Sequence, residues 1–297
     1  MRFFGSVKIF LKGRHVDIIA SHGQTISHKD GYSSIQIGEP KFMYREYNIP
    51  IIYNFRQADI NAGGNGAPLM PFLDWLFFKD KKKNIITLNI GGIANISYIN
   101  KIGNRDSVIG FDTGPGMALI DEVSNLYLGK NMDKDGKDSS KGEVDEELLN
   151  QLISNQEFIY KKPPKSTGRD MFGANLVKDI CKQKSNITIN NLLRTLCAFT
   201  AKSISINLEM FLNIKGKKID MIVSGGGVNH FVLMNDLKKY VPNANIIISD
   251  SIGIKSNMKE SLLMAVLGVA RFTNLSANMP SVTGAKKKVL LGDIFTV

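Results

Sequence analysis

Four glycine clusters beside apolar runs raise the first chemical question. They are Ala62–Pro68 (AGGNGAP), Asn89–Asn95 (NIGGIAN), Gly110–Gly116 (GFDTGPG) and Ser224–Asn229 (SGGGVN). Glycine lets a main chain approach a ligand closely, and exposed amides in such turns cradle phosphate. One cluster alone marks a tight turn, whereas four in one chain point to a nucleotide-binding protein. None fits G-x-G-x-x-G or G-x-x-x-x-G-K-[ST], which argues against a dinucleotide dehydrogenase and a P-loop enzyme. Asp112 ends an apolar run inside the third cluster. A carboxylate there is placed to orient or deprotonate a nucleophile near a transferred phosphate; an Asx turn with Thr113-Gly114 is the alternative.

Other side chains offer charge. Lys162–Arg169 (KPPKSTGR) puts two prolines before cationic donors, Lys165 and Arg169. That suits a carboxylate or phosphate, or a surface loop. His22 and Gln24 sit in SHGQT, just past the apolar run VDIIA, and ligands bind at the carboxyl ends of α/β strands. Arg56 and Asp59 form either a local ion pair or a ligand clamp. Glu260 opens a helix, where an acid stabilises the N-terminus. No residue set has metal-ligand spacing, and Mg²⁺ is expected only with ATP.

These groups need elements to hold them. Strands are expected at Val16–Ala20, Ser107–Phe111, Ile219–Val223 and Ala244–Ile248, with a hairpin of Asn84–Ile90 and Asn95–Ile99 around Gly91-Gly92. Helices are expected over Leu192–Leu212 and Asn257–Phe272, and a polar loop over 129–147, opening a helix at Asp145-Glu-Glu. The alternation reads as α/β. Glycine pairs at hairpins and strand ends, followed late by a triple glycine, suit the two-domain actin-like, sugar-kinase and Hsp70 (ribonuclease H-like) superfold, with mixed sheets flanked by helices. The expected domains are 1–82 plus 281–297, the first incomplete, and 83–280 for nucleotide and catalysis, with a boundary near Phe78–Asn84.

The 297 residues carry 38 Lys and Arg against 27 Asp and Glu, a net charge of +11. The apolar content of 43% excludes a disordered chain. The lysines are scattered, without a basic helix and interleaved aromatics, so nucleic acid is not the expected partner; an anionic small molecule is equally favoured by the charge. Cys181 and Cys197 are too few for a disulfide framework and read as reduced packing residues. The longest apolar stretch, Ser261–Ala270, is about half of a membrane span, and Met1–Lys8 lacks a leader's cleavage pattern. The expected place is the cytoplasm, away from membranes.

In order along the chain, SHGQT (21–25), FRQADINAGGNGAPLMP (55–71), LNIGGIANIS (88–97), GFDTGPG (110–116), MDKDG (132–136), PPKSTGRDMF (163–172), SGGGVNH (224–230) and PSVTGA (280–285) closely resemble anhydro-N-acetylmuramic acid kinases. The resemblance implies an enzyme that takes 1,6-anhydro-N-acetylmuramic acid, ATP and water to N-acetylmuramic acid 6-phosphate and ADP, in cell-wall recycling. It implies Asp112 as the base that activates water and Glu260 near the sugar. His22, Gln24, Arg56 and Asp59 would line the sugar site, with Lys165 and Arg169 in an active-site loop. Gly91, Gly92 and Asn95 would hold phosphate, Thr113 and Gly114 would flank the nucleotide, and Gly225, Gly226, Gly227 and Asn229 would meet adenosine. ATP and Mg²⁺ are the implied cofactors and a homodimer the implied assembly.

Three departures stand out. The family's opening G-x-M-S-G-T-S-x-D-G hairpin is absent, so the chain is expected to lack the first phosphate loop. Met117 stands where the family usually has Asn, and Asp170 where it has Glu. The alternative is therefore a catalytically impaired remnant that only binds sugar or nucleotide. Phosphate-loop donors are often the largest catalytic contribution.

Overall fold

The computed structural model describes Leu11 and residues 13–297, except Asn213 and Lys215; the reading of Met1–Lys8 lies outside those residues. The chain divides into two units. One runs to Leu76 and resumes over Met258–Val297; the other is Phe77–Asn257. The first break falls at Leu76/Phe77, beside the expected boundary. The second falls at Asn257/Met258 instead of near residue 280, because the helix that follows packs on the first unit's sheet. A Cβ added at Gly268 of that helix would lie 2.7 Å from Ala20 Cβ.

In chain order the strands are β1 (Ile19–Ala20), β2 (Gln24–Lys29), β3 (Ser33–Ile37), β4 (Ile51–Tyr53), β5 (Ile85–Ile90), β6 (Ile93–Ile99), β7 (Ile109–Pro115), β8 (Ile219–Ser224), β9 (Ala244–Ile248) and β10 (Asp293–Phe295). The helices that position the site are α1 (Ala118–Leu128), α2 (Glu146–Asn155), α3 (Ile189–Leu212), α4 (Phe231–Tyr240) and α5 (Lys259–Phe272).

The second unit is built on a five-stranded sheet of order β7-β6-β5-β8-β9. β5, β6 and β7 form an antiparallel meander, and β8 and β9 then add in parallel on the other side of β5. Numbered within the sheet, the order is third, second, first, fourth, fifth, as a ribonuclease H-like domain requires. Ile86, Leu88 and Ile90 alternate along β5 and turn one face into a core with Ile204 and Leu208 of α3 and Leu233 and Leu237 of α4. The other end of α3 carries Leu192, Leu193 and Leu196 into a second core with α1 and α2. Apolar residues on more than one side of this helix face the two cores, which is why its pattern over 192–212 is so dense.

Asp145 opens α2 as expected, its carboxylate accepting from Leu148 N at 2.9 Å. The polar stretch before it contains two 3₁₀ turns, Lys134–Gly136 and Ser139–Lys141. The first unit holds a three-stranded sheet, β1-β4-β10, and the separate hairpin β2-β3. The expected strand Val16–Ala20 shrinks to Ile19–Ala20. The hairpin escaped the apolar pattern because its Ile26, Ile35 and Ile37 face solvent.

Candidate active site

In the second unit, register assembles the site. Asn89 of β5 pairs with Asn95 of β6 on one side and Ser224 of β8 on the other; Asn95 pairs with Asp112 of β7. Cross-strand partners project from the same face. Ser224, Asn89, Asn95 and Asp112 therefore form a polar row across four strands, on the face opposite the α3 core. Strand β7 extends through Thr113, Gly114 and Pro115, so Asp112 sits inside a strand and the Asx turn does not form. Asn89 and Ser224 carry no weight in the sequence reading. Their signal is a polar residue near the C-terminal end of a mostly apolar strand, in IITLNI and IDMIVS. The Ser224 hydroxyl is buried without a hydrogen-bond partner among the described residues.

The row runs into glycine turns. The carbonyls of Gly91 and Gly92 accept from Met117 N (2.8 Å), Gly116 N (2.9 Å) and Ala118 N (3.0 Å). The hairpin is thereby fixed to the start of α1. A Cβ on Gly91 would meet nothing nearer than 3.6 Å, and one on Gly92 would touch the Arg169 guanidinium at 3.4 Å and Ala118 Cβ at 3.8 Å. Arg169 is exposed and lies 4.0 Å from Asp121. Next to the hairpin, Gly225 (φ +90°) and Gly227 fit against the end of β5: added Cβ atoms would come within 2.5 Å of Ile90 O and 2.4 Å of Ile90 Cγ2. Gly226 has open space around it. Asn229 ends this turn on the surface. His230 follows, buried. Its Nδ1 accepts from Leu233 N at 3.2 Å, capping α4, and its Nε2 lies 3.2 Å from Asp133. Hydrogen bonds from His230 and Ser139 and from the Asp138 and Ser139 amides outweigh the effect of burial and hold the Asp133 carboxyl well below the usual range.

Asp112 is gripped by the chain beside it. Its N–H donates to Lys165 O at 3.2 Å, and its Oδ2 accepts from Thr167 N at 2.9 Å. It keeps 9% of its surface exposed. Three expected ligand residues turn inward instead. Thr113 is fully buried, its hydroxyl donating to Ala94 O. Gly114 is tight against Ser203 Oγ, 2.6 Å from an added Cβ. The Lys165 ammonium is 2.9 Å from both Phe158 O and Ile159 O and 2.6 Å from Asn207 Oδ1. It is a correction to the charged-loop reading: Lys165 points into the protein and Arg169 out of it. Met117 does likewise; it packs against both cores of the second unit, where an amide side chain would meet apolar neighbours.

In the first unit, Arg56 Nε donates to His22 Nε2 at 3.0 Å, and Arg56 Nη1 to Gly66 O at 2.9 Å. His22 Nδ1 faces Gly23 O at 3.1 Å, so the imidazole is neutral with its proton on Nδ1. Burial, then the Arg56 charge, lower its pKa; Glu260, exposed on the first turn of α5, opposes this. His22 and Arg56 are thus in direct contact, with Gln24 exposed two residues along. Lys259, unmarked in the sequence, is buried and reaches Asp74 at 2.9 Å, pinning the start of α5. Asp59 departs from the clamp reading. It is fully buried and accepts from Gly66 N (2.9 Å), Asn278 Nδ2 (3.0 Å) and Thr283 Oγ1 (2.9 Å). Its work is to tie the 62–68 loop to the PSVTGA segment.

Among the described residues no group of three or more His, Cys, Asp or Glu could hold a metal ion, and no helix is long and apolar enough to cross a membrane. A cavity of about 160 Å³ lined by Glu209, Lys217 and Tyr240 lies where β8 and β9 begin, away from the glycine turns.

The family model for anhydro-N-acetylmuramic acid kinase matches residues 6–297. The protein of that name from Clostridioides difficile strain 630 is 40% identical over 286 residues, covering 94% of this chain and 74% of that one. Its namesake from Caldanaerobacter subterraneus subsp. tengcongensis is 38% identical over 300 residues, covering 97% and 76%. Among solved structures, the ADPNP-bound activator of 2-hydroxyisocaproyl-CoA dehydratase from Clostridium difficile aligns at 12% identity and a TM-score of 0.36, over 75% of this chain and 68% of that one.

Proposed function

This chain belongs to the anhydro-N-acetylmuramic acid kinase family, and from that premise we propose that it opens 1,6-anhydro-N-acetylmuramic acid with water and phosphorylates O6 at the expense of ATP. Asp112 removes a proton from water as the oxygen bonds to the anomeric carbon. The bond from that carbon to O6 breaks, and the electron pair leaves on O6. O6 then takes the γ-phosphoryl group, and ADP departs. The proton on Asp112 returns to solvent. No separate acid is needed, because the leaving oxygen is itself the next nucleophile.

One observation carries the nucleotide half of this reading. At Gly91, Gly92 and Gly226 neither a left-handed backbone nor the protein's own backbone packing demands glycine. The space they leave adjoins the row that ends in Asp112, with the Arg169 guanidinium beside it. Close approach of a phosphorylated ligand to the main chain explains glycine there. Magnesium, bound mostly by phosphate oxygens and water, would neutralise charge on the transferred group; the Asp112, Asn95 and Asn89 oxygens are ligands of the hard type it takes. In the first unit, His22, Arg56, Glu260 and Gln24 supply the polar side chains for an amino sugar bearing a carboxylate, with the cation of Arg56 suited to that group. The physiological setting that follows is recycling of cell-wall sugars in the cytoplasm.

The test is product analysis with ATP, Mg²⁺ and the anhydro sugar. Mass spectrometry should show the sugar gaining one water and one phosphate. Gain of phosphate alone would mean an ordinary sugar kinase. No product from a folded chain that still binds ATP would leave a binding protein.

A further inference from the structure

The segment that grips Asp112 is itself held by a buried cation. The Lys165 ammonium has three N–H donors and three acceptors, Phe158 O, Ile159 O and Asn207 Oδ1. The rings of Phe158, Phe211 and Phe111 lie around it, with centroids at 4.8, 4.9 and 5.5 Å. Only 2% of the residue is exposed. A pocket with three carbonyl-type acceptors and three aromatic faces is built for a charged ammonium, and no substrate can reach it there.

Two routes lead from this pocket to Asp112. Along the main chain, Lys165 O takes the Asp112 N–H, and two residues on Thr167 N–H holds the carboxylate. Through α3, Asn207 accepts from Lys165 and donates its own amide to Thr113 O at 3.0 Å, next to Asp112. Lys165 and Thr167 therefore bracket Asp112, one at its backbone and the other at its carboxylate. Burial, helped by the nearby Lys161 charge, outweighs Asp112, which favours the charged form, and pushes the Lys165 pKa down to about 8.

We infer that Lys165 is a positioning residue for Asp112: its buried ammonium locks the 165–167 segment onto β7 and so fixes the direction of the carboxylate. The inference rests on Asp112 being the base. It replaces the expectation that Lys165 binds substrate.

The experiment measures kcat and KM for ATP and for the anhydro sugar in K165M, K165R and D112N, with pH profiles of kcat/KM. Met fills the aromatic pocket without the charge. K165M should lose on the order of 10- to 100-fold in kcat, as a misplaced base does, with both KM values within about twofold of wild type. The acid limb of its profile should move to higher pH, since removing a nearby cation makes a carboxylate easier to protonate. K165R should recover part of the loss. If K165M raises a KM and spares kcat, Lys165 meets substrate and the inference falls. It falls equally if kcat per folded molecule and the acid limb are unchanged. K165Q, which keeps two donors, gives the same readings if K165M does not fold. Turnover persisting in D112N would overturn the base assignment itself, whatever the lysine variants do.

Discussion

The loop at 62–67 in the first unit and the hairpin at Gly91-Gly92 in the second read alike as sequence and differ in what fills the space beside them. At Gly64 an added Cβ would sit 2.2 Å from Asp59 Oδ2, and at Gly66 it would sit 2.8 Å from Ile60. Those glycines make room for the protein. Gly91 and Gly226 have no such neighbour, and the room there is for something else. The aspartates divide in the same way. Asp59 is wholly inside and spends both oxygens on three internal donors; Asp112 is oriented by its neighbours and still reaches the surface. Glycine and aspartate together do not identify a ligand site; the packing around them does.

Asp112→Asn should strike hardest. Loss of a general base lowers kcat by about 10²- to 10⁴-fold, while ATP binding by calorimetry stays near wild type; turnover above a tenth of wild type would move the base elsewhere. Gly64→Ala comes next. It drives a methyl into a buried carboxylate and should cost about 2–3 kcal/mol in chemical unfolding, and an unchanged midpoint would erase the contrast between the loops. Asp59→Asn keeps the shape but cannot accept from three donors as a carboxylate does, and should cost about 1–3 kcal/mol. Gly226→Ala is the opposite case: the melting temperature should hold, while the KM for ATP rises about tenfold, or about 1.4 kcal/mol. A destabilised protein with normal KM would make Gly226 a packing glycine like Gly64.

The smallest effect is expected from pH at His22. Its folded pKa lies below the ordinary value of 6.5, chiefly through burial and then Arg56. As pH falls through 6.5 toward that lower value, the unfolded chain takes up a proton that the folded chain refuses, so stability drops. Melting curves from pH 7.5 to 5 should slope more steeply for wild type than for His22→Gln.

The meander, β8 and β9, and the two long helices were legible because their apolar runs face cores on one or both sides. Asp112 was legible as a residue, though its place inside β7 was not; register with Asn95 is a long-range property that local turn chemistry cannot report. Lys165 and Arg169 stand four apart in one charged loop, and only Phe111, Phe158 and Phe211, remote from each other in sequence, reveal which of the two turns inward. The assignment of α5 to the first unit depends on Gly268 meeting Ala20, a contact between residues at opposite ends of the chain. Asn89 and Ser224 escaped because a polar residue ending a strand resembles any turn onset until its neighbours across the sheet are known.

The pairing of β10 with β4, which sets Asp293 opposite Tyr53, has a consequence for how the protein is made. The second unit is one continuous stretch and holds all the strands of its sheet by the time β9 has emerged. The first unit contains residues that precede the second but waits for residues 293–295 to add the β10 strand to its sheet. Until then one edge of β4 offers unpaired amides and carbonyls to any passing strand. Domains usually fold in the order of their synthesis; here the unit holding residues 13–76 closes its sheet only after the strands of the second unit have been made.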